Sequence, residues 1–248
     1  PGVFLLTRKR DPTLQSLHSY AILWLVSYNL CSALRKKRVQ GEMRGKFMLV
    51  KEISKQHIQD IGHAFGYYDY GEERGMASWF RDKEAVVTYI CGFVRCVLTD
   101  GFLHTTSERG EGYIAYKLPG QKVSFKAARI LLRRMLQSMS LGELFRFARM
   151  LSKAGPSLED VLNKEKKPCI YVGMVCVREA YQGQGYMRKV MDLAFAEGDR
   201  LGIPVVLDTD AKSKCDKYVH LGMELYGTRD LGPGGTLYDL VRYPKKAE

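Results

Sequence analysis

Hydrophobic positions along the chain fall into two kinds of run, one with a period near 3.6 and one short and nearly all apolar or alternating. From Lys46, "KFMLVKEI" predicts a strand, and "SKQHIQDIGHAF" predicts a helix capped by Ser54. "EAVVTYICGFVRCVL" has helical spacing and stops at Thr99-Asp100-Gly101. "GFLHTTSERGEGYIAYKL" predicts a hairpin turning at Arg109-Gly110. Two helical stretches follow, "FKAARILLRRMLQSM" and "LGELFRFARMLSKAG", the second ended by Gly155-Pro156. "CIYVGMVCV" is almost wholly apolar, which predicts a central strand covered on both faces. After it come a glycine turn, a helix to Gly202, the strand "IPVVLDT", a short helix "KSKCDKYVHLG" and a last hairpin turning at Gly232–Gly235. Interleaved strands and helices ending in a hairpin predict a mixed α/β domain over residues 46–243, with 244–248 as a tail.

Charge refines this picture. The net charge is +12, and residues 1–47 hold nine Lys/Arg against two Asp/Glu. Residues 122–153 hold eight more against the single acid Glu143. Basicity confined to one end and one helical segment predicts a solvated helix face, with neither nucleic acid nor membrane as a partner. The apolar run Ser19–Leu34 is shorter than the roughly 18–20 residues of a membrane span and is interrupted by Ser, Asn and Tyr. "RKKR" after it is not a secretory cleavage site. Met43 and Met48 precede the first clear strand, so residues 1–45 are expected to be an extension outside the fold, with 1–42 dispensable or upstream translation. Six cysteines without C-x-x-C or paired histidines predict reduced thiols, a cytoplasmic location and no metal site.

The chemistry concentrates at "VREAYQGQGYMRKVM", Val177–Met191, where a strand gives way to a helix through two glycines. Such a junction lets backbone N–H groups approach an anion at a helix N-terminus. A dinucleotide-binding turn fits Gly183, Gly185 and the later Asp208, but its third glycine position is Arg188. The spacer "REAYQ" is too long for that turn, and about 40 residues after Asp208 are too few for a doubly wound sheet. The run "VREAYQGQG" instead resembles the acyl-CoA motif Q/R-x-x-G-x-G/A of the GNAT superfamily of N-acyltransferases, with Gln182 and Gly185 matching. "DRLGIPVVLDT" resembles the family's D-x-x-G-x-P-x-x-L-E-T, with Asp199, Gly202, Pro204 and Thr209 in place. "YVHLGM", Tyr218–Met223, resembles its Y-x-x-L-G-F, and "LGPGGTLYDLVR" looks like the last hairpin of the bacterial branch related to puromycin acetyltransferase. The likeness spans roughly residues 48–243.

The resemblance implies a GNAT-like fold: a mixed, mostly antiparallel central sheet flanked by helices, here with a helical insert before the central strand. It implies acetyl-CoA as acyl donor, with the pyrophosphate held by backbone N–H groups of Gly183, Gln184, Gly185, Tyr186 and Met187 beside Gln182. Arg188 and Lys189 would add charge. The pantetheine arm would lie along Val175, Cys176 and Val177, where an N–H faces the thioester oxygen. Tyr218 stands at the family's general-acid position and would protonate the departing thiolate. Cys176 and Cys215 have no partner histidine in the pattern and read as structural filler. Glu108, Glu111 and Asp208 are candidates for the base, as is water. Where the family often has asparagine, Lys214 stands; Met187 and Met223 also depart from its pattern.

The acceptor is carried by segments the motif leaves free, Tyr67–Phe80 and the insert Ser124–Gly155. The expected activity is direct acetyl transfer to a primary amine of a small molecule by a monomer or homodimer. A peptide amine, and a non-catalytic acyl-CoA- or nucleic-acid-binding module, stand as alternatives.

Overall fold

The structure, a computed structural model, describes residues 48–245. The expected extension over residues 1–45 lies outside the described residues. Seven strands form one sheet: β1 (Met48–Leu49), β2 (Leu103–Thr105), β3 (Gly112–Lys117), β4 (Ile170–Val177), β5 (Val205–Thr209), β6 (Glu224–Asp230) and β7 (Thr236–Arg242). Their order is β1-β2-β3-β4-β5-β7-β6, antiparallel at every pairing except β4 with β5. Among the described residues seven α-helices flank it: α1 (Lys55–Gly66), α2 (Lys83–Thr99), α3 (Phe125–Ser138), α4 (Leu141–Ala154), α5 (Leu158–Lys164), α6 (Tyr186–Leu201) and α7 (Lys212–His220). The mixed fold read from the sequence is thus the observed one.

The two larger cores sit on opposite faces of the sheet. One gathers residues of α1 to α4 with Met174 and Cys176; the other gathers Ile170 and Val172 with α6 and Cys215 of α7. The helices start where short polar side chains take up their first N–H groups: Ser54 accepts from His57, Asp82 from Ala85 and Ser124 from Ala127. At Gly92, α2 and α3 cross so closely that a Cβ there would lie 2.4 Å from the Cβ of Arg134. The apolar period sets the faces, and this glycine sets how near they come.

Two expectations change. The strand over residues 46–53 is described only at Met48–Leu49, with Val50 N–H still donating to the Leu103 carbonyl. Helix α5 was not foreseen, because Gly155-Pro156 reads as the end of helical structure and only seven residues follow its cap. A readable signal was present: Ser157 and Asp160 form a capping box, each accepting from the other's backbone N–H. Ser157→Ala should cost about 1 kcal/mol and lower Tm by roughly 2–4 °C; thermal unfolding followed by circular dichroism checks it.

Candidate active site

The site begins with a defect in β4. Ala115 of β3 pairs with Met174 and Tyr116 with Val172, so Gly173 is an extra residue on β4. Strands β4 and β5 pair only at Ile170–Val205 and Tyr171–Val206, then separate. A cavity of about 590 Å³ fills the opening, running from the glycine turn to the insert. The central strand is therefore packed at its start and borders this cavity beyond it, where Gly173 is exposed and Val175 and Val177 are half-buried.

Backbone alternation decides which groups of β4 face the opening. Arg178 N–H donates to Glu111 O on the β3 side. Residues two and four earlier, Cys176 and Met174, therefore direct their N–H and C=O to β3 as well. Val175 and Val177 direct theirs toward β5, which has moved away. The three residues expected to line the pantetheine arm are thus separated into two with backbone groups at the opening and one, Cys176, without. Burial pushes the Cys176 thiol up to about 12, which suits filler and not a nucleophile.

The glycine turn closes one end. A short turn over Glu179–Tyr181 leads to Gln182, whose side-chain amide donates to Val177 O at 3.2 Å. Gly183 and Gly185 have φ of +73° and +76°, and Gly185 is the N-cap of α6. A side chain is strained in that region, which explains glycine at both positions. Among the described residues, the N–H groups of residues 183–188 have no acceptor, and those of the first helical turn carry the positive end of its dipole. Gly183, Gly185 and Met187 line the cavity. Gln184 instead bonds Ala180 O, and Arg188 reaches His220 O at 3.3 Å on α7. The Arg188 side chain thus ties α6 to α7, and its backbone N–H joins the unpartnered set of the glycine turn.

Tyr218, half-buried on α7, lines the same cavity. Its hydroxyl makes no hydrogen bond among the described residues. Burial, helped by the charges of Asp210 and Asp208, raises its pKa well above 10, so it holds its proton at neutral pH. One turn earlier, Lys214 Nζ pairs with Asp210 at 2.7 Å and donates to Tyr70 OH at 3.0 Å. Tyr70 OH and Met76 N–H both donate to Asp210, each at 2.7 Å. Burial works to raise the Asp210 carboxyl, yet Lys214 and these donors hold it below its ordinary value. This cluster pins the 67–80 loop over the site, so Lys214 is spent on loop and aspartate. Of the three tyrosines at the start of this loop, Tyr68 faces the cavity, Tyr70 anchors, and Tyr67 turns outward to Glu84.

The other end of the cavity is acidic with aromatic walls that include Trp79, Phe93 and Phe147. Asp208 accepts from Tyr171 OH at 3.1 Å and lies directly opposite Asp239 in the β5–β7 register. Arg229 is held by Asp239 at 2.6 Å and 2.9 Å and stands 3.5 Å from Asp208. Burial, then the Asp239 charge, raises the Asp208 pKa well above the ordinary carboxylate value. Glu159 of α5 is likewise raised by burial, although Lys117 pairs with it at 2.9 Å. Glu111, by contrast, accepts from Ser107 and Thr106 hydroxyls; although burial opposes it, these bonds hold its pKa below normal. Neither Glu111 nor the exposed Glu108 lines the cavity, whereas Asp208 does. Among the described residues, no three His, Cys, Asp or Glu side chains gather as a metal site.

Residues 142–215 match the family model described as Acetyltransferase (GNAT) family. No curated protein matches the chain in sequence. Among solved structures, a histone acetyltransferase HPA2 and related acetyltransferase from Corynebacterium glutamicum is similar over 83% of this chain and 99% of its own. Identity is 12% and the TM-score 0.51, a likeness of fold alone. Arylalkylamine N-acetyltransferase 2 from Aedes aegypti aligns over 81% of this chain and 99% of its own, at 11% identity and a TM-score of 0.49. The matched segment, which holds β4, the glycine turn and α6, and the sheet topology both support a GNAT-type acetyltransferase domain, a class that takes acetyl-CoA as donor.

Proposed function

On this GNAT acetyltransferase domain we propose an N-acetyltransferase that moves the acetyl group of acetyl-CoA to a small primary amine by direct attack. The carrying observation is one continuous cavity that joins the unpartnered N–H groups after Gln182 to Tyr218 and Asp208 through the β4–β5 opening. In this reading the glycine turn and the first turn of α6 hold the pyrophosphate. Backbone groups of Val175 and Val177 pair with the pantetheine amides. The amine nitrogen attacks the thioester carbonyl carbon, whose developing negative charge is met by a β4 N–H. As the C–S bond breaks, Tyr218 gives its proton to the sulfur, and the acceptor nitrogen loses its own to Asp208.

A small molecule is favoured over a peptide because α5 and the pinned 67–80 loop wall the acceptor end. The final hairpin keeps its resemblance to the puromycin acetyltransferase branch, which is the relationship we favour. A reducing, cytoplasmic setting agrees with the five free, buried cysteines of the described region.

Thiol release from acetyl-CoA, measured against a panel of small primary amines and short peptides, tests this. At least one small amine is expected to release coenzyme A stoichiometrically with N-acetyl product. Binding of acetyl-CoA without release by any amine would sink the enzyme reading, and turnover of peptides alone would sink the small-molecule one.

A further inference from the structure

The insert carries a surface that the transfer reaction does not use. On α3, Phe125, Arg129, Leu132, Arg133 and Leu136 recur at spacings of four, three, one and three, which places them on one face. That face is open: Phe125 is 69% exposed, Leu132 44% and Leu136 49%. The opposite face buries Ala127, Ala128, Leu131 and Met135. Helix α4 repeats the arrangement, with Phe147, Ala148 and Leu151 inward and Leu141, Phe145 and Arg149 outward. Leu141 is 74% and Phe145 69% exposed. Five large apolar side chains thus stand in water on two consecutive helices, among eight Lys/Arg and one acid over residues 122–153. Solvated faces do not need Leu and Phe, and apolar patches of this kind mark contact sites.

We infer that this face of α3 and α4 rests on an anionic lipid surface, with its Phe and Leu side chains entering the interface and its Arg and Lys side chains meeting headgroup phosphates. Charge selects among the occupants. A second copy would bring two strongly basic faces together and is repelled, and the uncharged run Ser19–Leu34 offers no anion to the Arg and Lys side chains. Nucleic acid would use the cations but has no place for Leu132, Leu136 and Leu141. An anionic bilayer accepts both kinds of side chain. No described helix is long and apolar enough to cross a membrane, so the contact is one of lying on the surface. The sequence reading expected no membrane partner, because exposure of these apolar positions is a property of the packed insert.

Co-sedimentation of the full chain with vesicles of phosphatidylcholine, alone or containing phosphatidylserine, tests the proposal. Binding is expected only with phosphatidylserine present, weakening as salt rises. The Leu141→Glu/Phe145→Glu variant should bind on the order of tenfold to a hundredfold more weakly while keeping its helical circular dichroism and its acetyl-CoA turnover. Arg133→Glu/Arg149→Glu should also lose binding. Unchanged vesicle binding by Leu141→Glu/Phe145→Glu would overturn the proposal. So would a dimer that this variant dissociates without any vesicle binding, or binding to duplex DNA or single-stranded RNA in place of vesicles.

Discussion

Tyr218→Phe is expected to lower kcat by about two to four orders of magnitude, with KM for acetyl-CoA changed by no more than about twofold. The phenol lines the cavity and has no hydrogen-bond partner among the described residues, so removing its oxygen leaves no buried group orphaned. Folding stability should therefore hold or rise slightly, which separates a chemical effect from a structural one. The pKa direction fixes the pH profile. An acid must keep its proton, and activity falls as pH rises through its pKa. Burial and the neighbouring carboxylates raise that value above 10, so wild type should show no alkaline loss from this group in the neutral range. Steady-state thiol release and thermal unfolding of both proteins check the two claims. An unchanged kcat would remove Tyr218 from the mechanism.

How much of this was legible in the residues follows from how local each feature is. The α6 turn was readable because Gly183 and Gly185 adopt left-handed φ, which is a local demand on residue type. Tyr218 was readable through its segment, and β4 through its apolar run. The opening between β4 and β5 was not: it depends on Gly173 being unmatched across the sheet, and a glycine inside a strand pattern does not say what it faces. Lys214 stands out in the sequence only as a departure from the family's asparagine, because its partners Asp210 and Tyr70 lie four and 144 residues away. Arg188 reads as added charge at the turn, while its bond to His220 O depends on how α6 and α7 pack. The base was the least legible, because strand ends supplied three carboxylates and only the packing decides which of them borders the cavity.

Asp208→Asn should reduce kcat by roughly a hundredfold or more and abolish the acid limb of the pH–rate profile. Of the three carboxylates considered, Asp208 alone lines the cavity, and burial with the Asp239 charge raises its pKa above the ordinary carboxylate value, the direction that strengthens a base. A base works deprotonated, so wild-type activity should fall as pH drops through that raised value, above the ordinary carboxylate range. Asparagine keeps an oxygen to accept from Tyr171 and removes the charge facing Asp239, so packing around Arg229 survives. The linkage sign gives an independent readout. A carboxyl whose folded pKa exceeds its unfolded one contributes stability at low pH that is lost as pH rises through the folded value. The variant cannot ionise there, so it should match wild type in acid and be the more stable protein at alkaline pH. Urea unfolding across the pH range, set beside thiol release with a reactive amine, measures both. If kcat keeps its acid limb while the stability difference appears as expected, Asp208 is a buried structural carboxyl and the proton leaves through water.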